Sequence, residues 1–233
     1  MTRRTVAHHK RFDPRGGRLV ISDHAETMHP DIPVTAAIEQ RPFQPQHPMV
    51  ARSLVGLAGL PTIVATGPFD NRWHAEQLAD AFTAVRRRCN AQLVLLGTGP
   101  QRAAVMRRTF AHGVGSCVHV FRGLPADRWS DIVAAADVAV PSTASGPTGL
   151  LNVLAAGRPV VAPVSPSTVR LVVPTSAGLV YRPGDVSGMA GALIRLLTSP
   201  ALRHGMSCRA GEVARRHDLQ KRLQLSDEGN EYA

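Results

Sequence analysis

The residues best suited to chemistry lie in one short segment of the chain, PSTASGPTG at 141–149. It precedes the helical pattern LLNVLAAG and contains the small or hydroxyl-bearing residues Ser142, Thr143, Ser145, Gly146, Thr148 and Gly149. Small residues leave backbone N–H groups accessible, and the N-terminus of a helix adds partial positive charge, so the segment suits a phosphate group. The alternative interpretation is an ordinary Ser/Thr cap at the start of the helix, which requires no ligand.

Three further segments follow predicted strands: TGPFDNRW at 66–73, GTGP at 97–100 and RGLP at 122–125. In an open parallel sheet, ligands bind beyond the carboxyl ends of the strands, where loops and helix N-termini converge. We therefore expect these segments and residues 141–149 to share one edge of the sheet. GTGP does not satisfy the fingerprint Gly-x-Gly-x-x-Gly, so dinucleotide binding has little support.

Other reactive side chains receive structural interpretations. His119 lies inside an apolar strand and is predicted to be a packed core residue rather than a ligand or a base. Asp137 precedes a buried strand and is predicted to cap the preceding helix region. The cysteines Cys89, Cys117 and Cys208 lie far apart without metal-binding spacing, which favours a reducing compartment and no structural metal. No Ser/His/Asp arrangement and no paired acidic motif stands out.

The elements that must position these residues alternate regularly from residue 61 onward. Short β-branched runs predict strands at PTIVATG, QLVLLGTG, CVHVFRG, DVAVPST, RPVVAP and GLVYRPGD. Helical spacing of apolar residues predicts helices at HAEQLADAFTAVRRR, PQRAAVMRRTFAHG, ADRWSDIVAAA, TGLLNVLAAG and VSGMAGALIRLLTS. This alternation predicts an α/β fold, a doubly wound parallel sheet of about five or six strands with helices on both faces.

Charge and hydropathy exclude several classes of function. The chain of 233 residues has a formal net charge of +10. Its basic residues are not interleaved with aromatic ones, and no helix-turn-helix or zinc-finger spacing is present, so we expect no specific nucleic-acid partner. Arg86, Arg87 and Arg88 end a predicted helix, where cations suit the helix dipole. Without a signal peptide or an apolar span, a cytoplasmic protein is expected, at most peripherally associated with a membrane.

The order of the segments is more specific than any one of them. LVLLGTGPQRAAV, VHVFRGLPADRWSDIVAAADVAVPST, GLLNVLAAGRPVVAP and GLVYRPGDVSGMAGALIRLLTSPALR follow one another. This succession resembles the C-terminal, nucleotide-sugar-binding domain of family-4 (group 1) glycosyltransferases, which have the GT-B fold of two Rossmann-like domains. The resemblance covers about residues 61–205. IPVTAAIEQRPFQP at 32–45 resembles the family's interdomain linker, and GRLVISDHAETMHP, which includes a predicted short strand, resembles the end of its first domain.

The resemblance implies a domain organisation. Residues 1–48 are expected to be a flexible N-terminal extension, a remnant of the first domain and its linker. Residues 49–205 are expected to form the Rossmann-like nucleotide-sugar-binding domain, and residues 206–233 a C-terminal helical tail. A truncated transferase is therefore expected, with most of the acceptor-binding first domain absent.

The resemblance also implies a ligand and the positions that contact it. The donor is a nucleoside-diphosphate sugar, transfer to an acceptor retains the anomeric configuration, and neither a cofactor nor a metal is expected. The expected binding positions are Gly67, Arg72, Gly97, Thr98, Arg122, Ser145, Gly146, Thr148, Gly149 and Asn152. Arg72 and the amides after the fourth strand would hold the diphosphate, and Asn152 the ribose. No catalytic residue is assigned.

Several positions depart from the family pattern. Ala144 and Asn152 stand where the family carries two glutamates eight positions apart. Pro68 and Trp73 replace an Arg and a Lys that face the diphosphate, and Thr98 replaces a carboxyl residue. Three hypotheses remain open. The chain is an enzyme working with a separate acceptor-binding domain or partner transferase, a non-catalytic degenerate domain acting as a binding or interaction module, or a truncated gene product.

Overall fold

The computed structural model describes residues 47–121, 126–142, 144 and 146–230, with the side chains of 126–127 and 218–230 excepted. The predictions made for residues 1–46, Arg122, Thr143 and Ser145 lie outside the described residues.

Strands alternate with helices along the described chain, as the sequence pattern predicts. The strands are β1 (Thr62–Thr66), β2 (Gln92–Leu96), β3 (Val118–Phe121), β4 (Val138–Pro141), β5 (Val160–Pro163) and β6 (Gly178–Tyr181). The α-helices are α1 (Pro48–Leu54), α2 (Arg72–Arg86), α3 (Arg102–Ala111), α4 (Ala126–Ala134), α5 (Gly146–Ala155), α6 (Pro166–Leu171), α7 (Val186–Thr198) and α8 (Pro200–Asn230). A 3₁₀ turn at Gly115–Cys117 precedes β3.

The six strands form one sheet in the order β3-β2-β1-β4-β5-β6, and every neighbouring pair is parallel. The predicted doubly wound α/β fold is therefore confirmed. The central strands β1 and β2 are buried throughout, which is why their sequences TIVAT and QLVLL are almost continuously apolar. The edge strands β3 and β6 are only partly buried.

Alternate strand residues serve the two faces of the sheet. On one face, Ile63 and Leu93 pack with Phe82 of α2 and Leu193 of α7. On the other face, Val64 and Val94 belong to a cluster with Ile132 of α4 and Ala51 of α1. A third cluster joins β4 and β5 to α5 and α8, and includes Leu154 and Val213. Helices therefore cover both faces of the sheet, and loops lie at the amino and carboxyl ends of the strands.

The last helix bears on the expected domain organisation. α8 runs without a break from Pro200 to Asn230, so a boundary between residues 205 and 206 falls inside it. Met206, Ala210 and Val213 are buried in the core clusters of the sheet. The first turns of α8 therefore pack as part of the same core, while the division of the chain into functional units stays a prediction. Within the described ranges, no helix has the length and apolar character needed to cross a membrane.

The prediction that Asp137 caps a helix is wrong. Its carboxylate accepts a 2.8 Å hydrogen bond from the Thr62 amide and pairs with the buried guanidinium of Arg52, and Arg203 Nε lies 3.4 Å away. Because β1 and β4 are neighbours, the residue before β4 reaches the amide at the start of β1. Burial lowers the pKa of the nearby Arg158 to about 10, and the Asp137 charge opposes that shift. Asp137 thus links α1, β1 and α8 at the amino edge of the sheet.

The structure also describes the surroundings of His119 and Arg86, two residues that the sequence analysis interpreted as structural. His119 is half-buried on the edge strand β3, where burial lowers its pKa, and no His/Cys/Asp/Glu cluster able to hold a metal exists among the described residues. Arg86 ends α2, and its guanidinium donates to Asn90 Oδ1 at 2.6 Å and to the Ala91 carbonyl at 2.9 Å. Arg86 therefore stabilises the turn that leads from α2 towards β2.

Candidate functional site

The strand order reverses between β1 and β4, and the carboxyl ends of these two strands mark the candidate site. The chain moves from β1 outward to β2 and β3, then returns to β4 and moves outward to β5 and β6 on the other side. The connections that follow β1 and β4 diverge, which leaves a crevice where open α/β sheets bind ligands. Gly67 and Arg72 follow β1, while Gly146 and Asn152 follow β4.

The loops after β1 and β2 are joined backbone to backbone. The amide of Gly67 donates to the Leu96 carbonyl at 2.7 Å, and the Phe69 amide donates to the Thr98 carbonyl at 2.8 Å. Gly97 has φ +126, and a Cβ on it would lie 3.0 Å from the Gly67 Cα. A Cβ on Gly99, where φ is +130, would lie 2.5 Å from the Phe69 nitrogen. The glycines of GTGP therefore permit close approach of two loops.

This arrangement determines which groups remain for a ligand. The amides of Gly67 and Phe69 already donate within the protein. The ring of Phe69 is buried and belongs to the core. Gly67, Gly97 and Thr98 thus lie at the predicted edge, but the geometry gives them a role in positioning the loop after β1.

A hydrogen bond also spans the crevice between β1 and β4. The buried Ser142 hydroxyl donates to the Pro68 carbonyl at 2.8 Å and accepts from the Ala144 amide at 3.2 Å. The loop after β4 is thereby tied to the loop after β1. A ligand at this edge must lie above the bridge or beside it.

The N-terminal turn of α5 is the accessible part of the site. Gly146 and Thr148 are exposed, and Gly149 and Asn152 are half-buried. The first N–H groups of a helix have no acceptor within it, and those of Gly146 and Thr148 belong to this turn. Thr148 and Asn152 are four residues apart, so their side chains lie on one side of the helix. Within the described part of the chain, no hydrogen bond involves the Asn152 side-chain amide. This turn can present donors to an anion.

Arg72, the predicted phosphate contact, begins α2 and is directed along the helix surface. Its Nε donates to Glu76 Oε1 at 2.8 Å, and the arginine side chain is 75% exposed. An exposed pair of this kind contributes roughly 0–1 kcal/mol, so the arginine is held weakly. Trp73, at the family's lysine position, is 81% exposed. The residues predicted to bind the diphosphate thus lie on α2 and α5, which begin on either side of the crevice.

Sequence reasoning missed a groove between α2 and α7. This α2–α7 groove has a volume of about 410 Å³ and is bordered by His74, Gln77, Pro163, Pro183 and Val186, among others. Burial lowers the pKa of His74. The only signal in the sequence is that His74 and Gln77 are three residues apart, a spacing that places both on the same face of a helix. The groove is bordered by residues of α2, the end of β5 and the loop before α7, which are distant from one another in the sequence.

The doubly wound parallel sheet, with the crevice where its strand order reverses, defines a Rossmann-like α/β domain. The profile of the family described as glycosyl transferases group 1 matches residues 60–199, more than half of the chain. The chain therefore belongs to this family. A search of curated protein sequences finds no significant match.

Solved structures share the fold. Sucrose-phosphate synthase from Thermosynechococcus elongatus superimposes with a TM-score of 0.63 at 22% identity, over 78% of this chain and 49% of that one. HepE from Anabaena, in complex with UDP and glucose, gives a TM-score of 0.64 at 19% identity, over 78% of this chain and 52% of that one. The C-terminal domain of the group 1 transferase LpcC from Francisella tularensis gives 0.68 at 14% identity, over 75% and 95%. The chain thus spans about half the length of the first two structures and nearly all of the isolated C-terminal domain.

Proposed function

We propose that this chain is the donor-binding half of a group 1 glycosyltransferase, which holds a nucleoside-diphosphate sugar weakly and does not transfer the sugar by itself. The observation that carries the proposal is the exposed N-terminal turn of α5 beside the β1–β4 crevice, without a carboxylate at positions 144 and 152. HepE, a similar structure, is described with UDP and glucose. That likeness supports a nucleotide ligand for this domain.

The phosphates would be held mainly by backbone N–H groups and by the helix dipole of α5. The amides of Gly146, Thr148 and Gly149 lie in the first turn of α5, where the helix carries partial positive charge. Arg72 would add a full positive charge after exchanging Glu76 for a phosphate. No metal is needed in this proposal, because these groups offset the phosphate charge.

The ribose would meet an amide instead of a carboxylate. The Asn152 side chain both donates and accepts, so it can bind hydroxyl groups, but it lacks the charge that strengthens such bonds. A hydrogen bond to a charged group contributes roughly 1.5–3 kcal/mol, about twice a neutral one. Ala144 offers no polar side chain. We therefore expect affinity for UDP or GDP in the high-micromolar range or weaker.

Transfer requires an acceptor held against the donor, and the absent family glutamates would have aligned the donor hydroxyls. Orientation of two reactants accounts for roughly 7–11 kcal/mol of a barrier. In this proposal a separate acceptor-binding domain or partner transferase supplies that orientation, and retention of configuration would be a property of the assembled enzyme.

A second candidate function is a non-catalytic binding or interaction module. The bridge from Ser142 to Pro68 favours it, because the crevice is already spanned by a bond within the protein. Binding of nucleotide without turnover, even with the partner domain present, would select this candidate.

Calorimetry with UDP and GDP tests the proposed site. Replacing Thr148 with Phe and Gly149 with Val should abolish binding, because both side chains crowd the phosphate position. Ala201→Phe, in the exposed first turn of α8 at the opposite edge, is the matched control and should bind normally. Binding that survives the double replacement would place the nucleotide elsewhere.

Asn152→Glu should strengthen nucleotide-sugar binding modestly. Acceptor-dependent donor consumption by the unaltered chain alone, or by the Asn152→Glu variant alone, would contradict the proposal.

A further inference from the structure

The end of the sheet opposite the nucleotide position carries an exposed apolar helix face. One side of α1 packs in the core, while Met49, Val50 and Leu54 on its outer side are 48%, 55% and 60% exposed. Apolar residues scattered singly on a surface are ordinary, but a contiguous group indicates contact with a partner or a membrane. Arg52 of the same helix pairs with Asp137, which precedes β4, so α1 lies at the amino edge of the sheet.

Exposed arginines of α2 are neighbours of this apolar face. The loop that follows α1 lies against Met49 Cε, and its Ala58 carbonyl accepts a 2.8 Å hydrogen bond from Gln92 Nε2 at the start of β2. Arg87 and Arg88 follow α2, come shortly before β2 and are exposed. The loop therefore joins the apolar face of α1 to the basic end of α2.

A further arginine lies at the same edge, and the acidic residues there are already paired. Arg203 Nε at the start of α8 is 3.4 Å from Asp137 Oδ1, and its side chain is 24% exposed. Within the described chain, Asp131 and Asp137 are the carboxylates at the strand and helix ends of this edge, and each pairs with an arginine. The exposed charge that remains beside the α1 face is positive.

The sequence that leads into α1 is also basic. Residues 1–18 contain six lysines and arginines and one acidic residue, Asp13, and they are tethered to α1 through its N-cap, His47. The helix dipole accounts for arginines at the end of α2, but it does not account for the exposed apolar face beside them.

An anionic bilayer matches both components of this surface. Its headgroups attract arginine and lysine, and the boundary with its acyl chains receives apolar side chains from a helix that lies in the interface. A nucleic acid would also attract the arginines, but contacts with its phosphates would leave the apolar side of α1 in water. The combination of charge and apolar surface therefore favours lipid.

We propose that the amino edge of the sheet docks on an anionic lipid surface. Met49, Val50 and Leu54 enter the headgroup region, and Arg87 and Arg88 contact lipid phosphates. The nucleotide position at the carboxyl edge then faces away from the membrane, towards the aqueous phase. The inference goes beyond the proposed function, because the docking surface shares no residue with the nucleotide position.

Co-sedimentation of the full chain with lipid vesicles tests this surface. We expect binding to vesicles of phosphatidylcholine mixed with phosphatidylglycerol to be about tenfold tighter than to phosphatidylcholine alone, and to weaken as ionic strength rises. Arg88→Gln should weaken it about fivefold, since one arginine near the surface is removed. Arg182→Gln, at an exposed arginine that follows β6 at the carboxyl edge, is the matched control and should bind normally.

Val50→Gln separates insertion of the helix face from simple charge attraction. The variant should weaken binding to the mixed vesicles about fivefold, because it removes apolar surface that the bilayer buries. Val164→Gln, at a 44% exposed valine that follows β5 at the carboxyl edge, should leave binding unchanged. Both valines are exposed, so the thermal midpoints of the two variants should stay near that of the unaltered chain.

Hydrogen exchange of the unaltered chain gives a readout that needs no variant. Mixed vesicles should slow exchange of the backbone amides of α1 and leave those of α5 unchanged. Absence of vesicle binding, equal binding to both kinds of vesicle, full binding by Val50→Gln, or unchanged exchange at α1 would each overturn the proposal. Tighter binding to duplex DNA than to the mixed vesicles would overturn it as well.

UDP titrations of Arg88→Gln and Val50→Gln keep the two proposals distinguishable. Both variants should bind UDP as the unaltered chain does. Loss of vesicle binding with UDP binding intact would count against the docking surface alone, and the reverse result would count against the nucleotide proposal alone.

Discussion

The Ser142 hydroxyl donates a 2.8 Å hydrogen bond to the Pro68 carbonyl, and this bond joins the loops at the ends of β4 and β1. The two residues are 74 positions apart in sequence and meet only because β1 and β4 are neighbours in the sheet. The bond spans the crevice where the strand order reverses. It therefore limits where a ligand can lie and adds to the rigidity of the candidate site.

Ser142→Ala should lower the free energy of unfolding by about 1 kcal/mol, the usual contribution of a hydrogen bond within a protein. Urea unfolding monitored by circular dichroism measures the change. Ser53→Ala is the matched control, since the Ser53 hydroxyl donates to the Met49 carbonyl on an exposed surface. Equal losses in the two variants would show that the bridge has no special role.

Gly99→Ala should be more damaging than another glycine replacement at positive φ. A Cβ at Gly99 would lie 2.5 Å from the Phe69 nitrogen, whereas a Cβ at Gly113 meets nothing within 4 Å. Both variants bear the conformational strain of roughly 1–3 kcal/mol. Only Gly99→Ala also pushes two loops apart, so its loss of stability should clearly exceed that of Gly113→Ala. Similar unfolding midpoints would contradict the close packing of these loops.

Asp137→Asn should destabilise the fold strongly. The buried guanidinium of Arg52 would lose its counter-charge, and removal of one member of a buried pair typically costs about 3–5 kcal/mol. Asp131→Asn, which breaks the more exposed pair with Arg128, should change stability by less than about 1 kcal/mol. Chemical unfolding of both variants provides the comparison, and a small effect at Asp137 would refute its anchoring role.

Much of the fold follows from local pattern, and most of the site does not. The runs TIVAT and QLVLL are apolar because the strands are buried on both faces, so strand positions and a parallel sheet could be predicted. Helix α1 was missed because Pro48 appeared to belong to a linker, although proline suits the first position of a helix. Helix α6 was missed although Ser165 and Thr168 form a capping box around Pro166.

The remaining errors concern contacts between distant residues. Arg52 and Asp137 are 85 positions apart, and no periodicity relates them. The same holds for the loop contact of Gly99 with Phe69 and for the α2–α7 groove. Spacing shows which residues follow strands, but only the register of the assembled sheet shows which amides are already used and which remain for a ligand.

His74 should make stability depend on pH. Burial lowers its pKa in the folded chain, so between that lowered value and its unfolded value of about 6.5 the unfolded chain binds more protons. The contribution of neutral His74 to the free energy of unfolding is complete above about pH 6.5. It is lost as the pH falls towards and through the lowered pKa of the folded chain. His74→Gln should flatten the rise of unfolding free energy with pH, by at most about 1.4 kcal/mol per pH unit for a single group.

Urea unfolding at several pH values between about 5 and 8 checks this expectation. Burial also lowers the pKa of His119, so a residual slope of the same sign should remain in His74→Gln. His204→Gln, at an exposed histidine of α8, serves as the control. If the slope of unfolding free energy against pH is unchanged in His74→Gln, the pKa of this imidazole does not differ between the folded and unfolded chain.

The most direct test of the account is a titration of the isotope-labelled chain with UDP, followed by backbone amide NMR. We expect saturable shifts that are largest at Gly146, Thr148, Gly149 and Asn152, with a Kd in the high-micromolar range or weaker. Amides at the opposite edge, such as that of Thr62, should not move. Absence of any shift, or shifts concentrated away from the N-terminal turn of α5, would contradict the claim that this turn is the nucleotide site.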